Sequence, residues 1–137
     1  MGSACLSKPY GGNETPVQLG QMANKIVSRP WGHFTVVGSW SGRITVRILT
    51  VKPRSRLSLQ KHRFRDEEWL CLSGRAKVQV GRRKFVIGVG DKASIPRNHL
   101  HRLGSDAGAE ILEVAFGKFL DDDIVRVEDD YGRATGS

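Results

Sequence analysis

Apolar residues in this chain recur at every second position over short runs, and glycine or proline closes nearly every run. His33–Val37 ends at Gly38. Arg43–Val51 alternates Ile44, Val46 and Ile48, then slips phase to Leu49 and Val51 as a bulge would, and Pro53 stops it. Arg56–His62, Glu68–Leu72, Ala76–Val80, Lys84–Ile87, Ala93–Ile95 and Glu110–Phe116 follow. Ser73-Gly74 and Gly81 read as turns between them, and Pro96 opens a loop that runs to His101. Only Leu120–Asp130 offers a helical turn, and a weak one. Many short strands with turn signals between them predict an all-β sandwich or barrel. Residues 1–24 show no period and are rich in Gly, Ser, Asn and Pro, which predicts a flexible leader before a single domain over 25–137.

Composition narrows the class. At 137 residues the chain makes one domain with one core. No apolar run approaches the ~20 residues that span a bilayer, and residues 1–24 lack a signal peptide's apolar centre. The two cysteines, Cys5 and Cys71, make neither a disulfide framework nor a CxxC knuckle. A cytoplasmic protein without a membrane partner is the expectation. The net charge of +8 is unevenly spread: residues 25–102 carry 18 Lys/Arg against four acids, while 103–137 carry three against nine. Such asymmetry fits a polyanion, an anionic small substrate, or an acidic tail folded onto a basic body. No nucleic-acid motif accompanies the basic stretch, so a nucleic-acid partner is not expected.

Candidate chemistry gathers at two places. Gln60 and His62 are two apart on a predicted strand, so they share a face, and Glu67 follows five residues later. Gly90, Pro96, Asn98, His101 and Ser105 form the second group. The plain alternative is that Gln60 and His62 are polar residues facing solvent. Taken together, however, the spacing resembles the two-part signature of the cupin barrel, G-x5-H-x-H-x3/4-E-x6-G and G-x5-P-x-G-x2-H-x3-N. Gln60 stands at the first His, Asn98 at the Gly and Ser105 at the Asn. The resemblance implies a cupin-type double-stranded β-helix, a jelly-roll barrel, with Gln60, His62, Glu67 and His101 as ligands. Two imidazoles, a carboxylate and an amide oxygen suit one divalent ion, Zn²⁺, Co²⁺, Mn²⁺ or Ni²⁺; a Gln in place of a His leans away from oxygen-activating iron.

The flanks sharpen this. Arg29-Pro30-Trp31-Gly32, Leu57-Ser58-Leu59-Gln60-x-His62, Arg65-x-Glu67-x-Trp69, Ile95-Pro96, His101-Arg102-Leu103, Glu113-Val114, Asp122-Asp123-Ile124-Val125-Arg126 and Asp130-Tyr131-Gly132-Arg133 occur in order. The chain resembles the type II phosphomannose isomerase domain, known mostly as the C-terminal half of bifunctional mannose-1-phosphate guanylyltransferase/isomerases. That resemblance implies interconversion of mannose 6-phosphate and fructose 6-phosphate through an enediol, a small sugar phosphate as partner, and a homodimer. Arg126 and Arg133 become candidates for catalytic or phosphate roles, with Arg65, Arg102 and His99 as candidate substrate contacts. Glu68 stands where the family carries an imidazole, so Glu68 is the expected proton carrier. If that replacement cannot serve, the alternative is a cupin that binds metal or sugar without turnover. Among the remaining residues, Trp31, Trp69 and Phe116 are expected in the core, Cys71 buried, Arg82-Arg83-Lys84 solvated, and Asp121–Asp123 and Glu128–Asp130 capping a turn or pairing with the basic body.

Overall fold

The computed structural model describes residues 25–134, so the expected leader over 1–24 lies outside the described residues. Among them it holds eleven strands and no helix: β1 (Lys25–Arg29), β2 (Gly32–Trp40), β3 (Ile44–Val51), β4 (Ser55–Arg56), β5 (Leu59–Lys61), β6 (Arg65–Val80), β7 (Arg83–Gly88), β8 (Lys92–Ile95), β9 (His101–Ser105), β10 (Ala109–Gly117) and β11 (Val125–Glu128). All pairings are antiparallel, in the order β1-β2-β3-β10-β6-β9-β5-β11, with β4 on β9 and β7 and β8 on β6. The expected all-β barrel is what forms. No helix among the described residues is long and apolar enough to cross a membrane.

β6 belongs to both halves of the barrel. Its first half pairs with β10 and β8, and its second half with β7 and β9. Ser73-Gly74, read as a hairpin turn, lies instead inside this 16-residue strand. The turn signal marks a bend: Gly74 has φ of 76°, and the β6–β10 register shifts beside it, between Glu110 and Ile111. A bulge of this kind bends a strand and lets it pass from one sheet to the other.

Three inward-facing rows cross β3, β10 and β6 and locate the interior chemistry. The row Leu49–Ile111–Cys71 is apolar and fully buried. One step along the strands comes Arg47–Glu113–Trp69, and one step further Thr45–Ala115–Glu67. The barrel is therefore apolar at one end, where Trp31, Val51, Leu57, Val78 and Leu103 complete the core, and polar at the other.

Four expectations are corrected here. β3 keeps one phase, with Thr45, Leu49 and Val51 buried, so its apparent slip is a polar stretch of interior rather than a bulge; the bulge is in β2, between Val36 and Gly38. The Arg56–His62 strand divides into β4 and β5, because Leu57 to Gln60 are buried four in a row where the chain crosses the barrel end. The Leu120–Asp130 helical turn is absent; β11 forms there and pairs with β5. Phe116 is 42% exposed on the outer face of β10, while Trp31 and Trp69 are in the core as expected. Cys71 is buried, and Glu128, Asp129 and Asp130 pair with Arg102, Arg133 and Arg56 as the acidic segment folds onto the basic body.

Gly117 closes β10 where the chain turns over the polar end. Its φ is 124°, and a Cβ there would be driven into the backbone carbonyl of Phe64, which already accepts the Lys118 N–H at 3.0 Å. Gly117→Ala is expected to cost about 2–4 kcal/mol in urea unfolding, from backbone overlap plus the left-handed penalty. Gly81→Ala, at a hairpin tip with φ of 61° and open space around it, is expected to cost only about 1 kcal/mol.

Candidate metal centre

Glu67 points inward from β6, His101 from the start of β9, and His62 follows β5 directly. Their ligand atoms lie within 4.8 Å of one another, and all three residues are buried. His62 Nε2 is 3.6 Å from Glu67 Oε2, and His101 Nε2 is 3.8 Å from Glu67 Oε1. Gln60 is buried on β5 as the register partner of His101 and lines the same cavity as His62 and Glu67.

The ring tautomers follow from the outer hydrogen bonds. His62 Nδ1 donates to the Asp123 carbonyl at 2.7 Å, and His101 Nδ1 to the His99 carbonyl at 2.9 Å. In the neutral form each ring therefore turns an Nε2 lone pair toward Glu67, the arrangement seen in metal-ligating histidines whose other nitrogen is fixed by a carbonyl. Burial pushes the pKa of His62 down to about 3, with the Arg65 charge adding to it, so the ring is neutral near pH 7. His101 Nε2 is buried with no hydrogen-bond partner among the described residues. An orphaned imidazole nitrogen beside a carboxyl group and the neutral ring of His62 is a donor set that fits a divalent cation.

The backbone supports this geometry at positions where the sequence departs from the cupin pattern. Asn98, in place of the motif Gly, adopts φ of 66°, a conformation Asn tolerates better than most residues, and its N–H donates to the His62 carbonyl at 2.7 Å. Ser105, in place of Asn, donates to the Arg75 carbonyl and accepts from the Gly108 N–H, so it shapes a turn.

A cavity of about 840 Å³ opens onto the centre. Arg126, Arg133, Arg29, Lys25 and Lys118 line it. Arg133 is held by Asp129 at 2.8 and 3.0 Å. Burial first, then the nearby Arg133 charge, lowers the pKa of Arg126. Cations crowded in this way are relieved by an anion.

Three expected site residues lie elsewhere. Glu68 follows Glu67 on a strand, so its side chain leaves from the opposite face and accepts from Ser94 Oγ at 2.9 Å. Arg102 alternates with His101 in the same way; its guanidinium bonds the Leu57 carbonyl and Glu128, fastening the C-terminal segment outside the barrel. His99 is exposed, and its contribution is the carbonyl that orients His101.

Other residues were not singled out from the sequence. Glu113, 2% exposed, accepts from Arg47 Nε at 2.7 Å and from the Trp69 indole N–H at 3.3 Å. Its signal was an acid on the inward phase of EILEVAF, between Ile111 and Ala115. Phe119 lies under both Arg47 and Arg65. Asp123 is buried and accepts the N–H groups of Arg63 and Phe64, both at 2.9 Å, clamping the turn that carries His62 toward Glu67. Within a run of three acids nothing distinguished it.

Residues 18–129 match the family described as Mannose-6-phosphate isomerase C-terminal. The alginate biosynthesis protein AlgA of Pseudomonas aeruginosa is 43% identical over 110 residues, which is 78% of this chain and 23% of that protein. A mannose-1-phosphate guanylyltransferase of Sinorhizobium fredii is 34% identical over 128 residues, 91% of this chain and 25% of that protein. The chain thus spans about a quarter of the length of the curated relatives it matches. Among solved structures, the cupin-2 domain Rru_A2000 from Rhodospirillum rubrum superposes with a TM-score of 0.57 at 21% identity, covering 66% of this chain and 67% of that one, a likeness of fold.

The clamp yields a prediction. Burial works to raise the pKa of Asp123, but the two backbone N–H donors outweigh it and hold the carboxyl below its usual range. A depressed carboxylate adds stability above its unfolded pKa, and that stability disappears as pH falls through the folded value. Asp123→Asn is expected to cost about 1–3 kcal/mol in urea unfolding at pH 7. The gap from the parent chain is expected to narrow as pH is taken below about 4.

Proposed function

Because the chain belongs to the mannose-6-phosphate isomerase C-terminal family, we propose that it is a metal-dependent aldose–ketose isomerase acting on mannose 6-phosphate and fructose 6-phosphate. The observation that carries this reading is the buried, orphaned His101 Nε2 beside Glu67 and His62, which line a cavity edged with arginines. Gln60, His62, Glu67 and His101 would hold one divalent ion. Polarisation of the sugar's carbonyl and hydroxyl oxygens is what that ion supplies when bound.

The chain's own residues do the rest. Arg126 and Arg133, with Arg29 close to them, bind the phosphate and set how far the sugar reaches into the barrel. Glu68 points away from the cavity; besides the candidate ligand Glu67, the buried carboxyl that faces it is Glu113. Burial raises its pKa against the pull of Arg47, the direction a base working near neutrality needs. In this reading Glu113 moves the proton between C1 and C2, and Arg47 and the Trp69 indole fix its two oxygens. The proposal treats residues 25–137 as one cupin domain after a leader, working as a homodimer in the cytoplasm.

The outward placement of Glu68 favours one other reading, a cupin that binds metal and sugar phosphate without turnover, since the imidazole of the family has no inward replacement at that position. Turnover separates the two. Protein supplied with Zn²⁺, Co²⁺ or Mn²⁺ is expected to convert mannose 6-phosphate, and a His62→Ala, His101→Ala double variant to lose both bound metal and activity. Metal uptake without conversion selects the binding protein. Arg126→Ala and Arg133→Ala are each expected to raise the KM by about 10- to 100-fold, the loss of one hydrogen bond to a charged group. An unchanged KM in both would remove the phosphate assignment.

A further inference from the structure

Two donor atoms of the centre are already engaged. Arg65 Nε donates to Glu67 Oε2 at 2.8 Å, and Arg65 Nη2 lies 3.1 Å from His62 Nε2. Because the Nδ1–H of His62 is committed to the Asp123 carbonyl, Nε2 is the lone pair, and the guanidinium donates into it. Arg65 is 5% exposed and lies 3.8 Å from the centroid of the Phe119 ring. His101 Nε2, on the other side of Glu67, has no hydrogen-bond partner among the described residues.

A guanidinium stays protonated at any physiological pH, so this is a permanent positive charge on one carboxylate oxygen and one imidazole nitrogen. A lone pair on Nε2 accepts one partner, and a divalent cation needs the same atom. We infer that Arg65 is a built-in competitor for the metal: it neutralises the empty centre, and the ion enters by displacing it. This rests on the metal-centre reading above.

Two consequences follow from the chemistry of the pair. Without Arg65, Glu67 would be a buried carboxylate with no fixed countercharge, so the guanidinium keeps the empty barrel folded. Displacement also sets a threshold that ions with strong affinity for imidazole nitrogen pass more readily than Mg²⁺ or Ca²⁺, which favour all-oxygen sites. The displaced guanidinium has somewhere polar to go, since Glu113 and Asp121 line the adjoining cavity.

The test uses the full chain stripped with chelator and titrated with Co²⁺, followed by its visible absorption and by calorimetry. Arg65→Gln is expected to bind Co²⁺ at least tenfold more tightly than the parent chain, and its metal-free form to melt lower and recover on adding Co²⁺. Arg65→Lys keeps the charge but loses the two-point fork, and its affinity is expected to fall between the two. If Arg65→Gln does not fold without metal, the Arg65→Lys titration decides alone. Unchanged or weaker binding in a folded Arg65→Gln overturns the inference. So does parent-like binding by Arg65→Lys, which marks a general field effect. If the parent chain and both variants take up no cobalt, the metal-centre reading falls and the inference with it.

Discussion

Burying a carboxylate and two imidazoles within 4.8 Å of one another is costly unless a cation joins them. Much of the polar end of this barrel manages that constraint. Arg65 supplies the cation for Glu67, Arg47 supplies it for Glu113, and Phe119 stacks on both guanidiniums. Asp123 and the His99 carbonyl fix which nitrogen each imidazole presents. These groups make an interior that is charged and buried, in which His101 Nε2 has no hydrogen-bond partner among the described residues.

The fold makes such an interior possible by separating it from the core. Along β3 and β10 the inward positions change from aliphatic to ionic within two residues and along β6 within four, so Leu49, Ile111 and Cys71 supply apolar burial while Arg47, Glu113 and Glu67 sit further along the same strands. β6 carries the largest share. Its first half holds Glu67 against β8 and β10, its bend at Gly74 takes it into the other sheet, and its second half pairs with β9, where Val80 lies opposite His101. One continuous strand thus brings two ligands distant in sequence to one point.

The candidate ligand spacing was legible in part because a strand turns alternate residues to one face, which Gln60 and His62 obey, while Glu67 regains that face only after the break at 62–64 between β5 and β6. The same rule excludes Glu68 and Arg102, each directly adjacent to an inward-facing ligand, and family correspondence alone did not apply it. β9 was not legible, because all five of its residues are buried and a strand covered on both faces shows no alternation. β3 misled for the opposite reason: Thr45 and Arg47 face the interior while Ile44 and Ile48 lie on the outer side, so the apolar stripe marked the wrong face. Asp123 acts through loop geometry that no periodicity records. The strand register, not the family correspondence, is what turns Glu113 inward and Glu68 outward.

The central claim is that Gln60, His62, Glu67 and His101 share one ion. X-ray absorption at the metal edge of the protein loaded with zinc tests it most directly. The account predicts one zinc per chain with two imidazole nitrogens at about 2.0–2.1 Å and oxygen in the remaining positions. A sphere of oxygens alone, or zinc uptake well below one per chain, would contradict it.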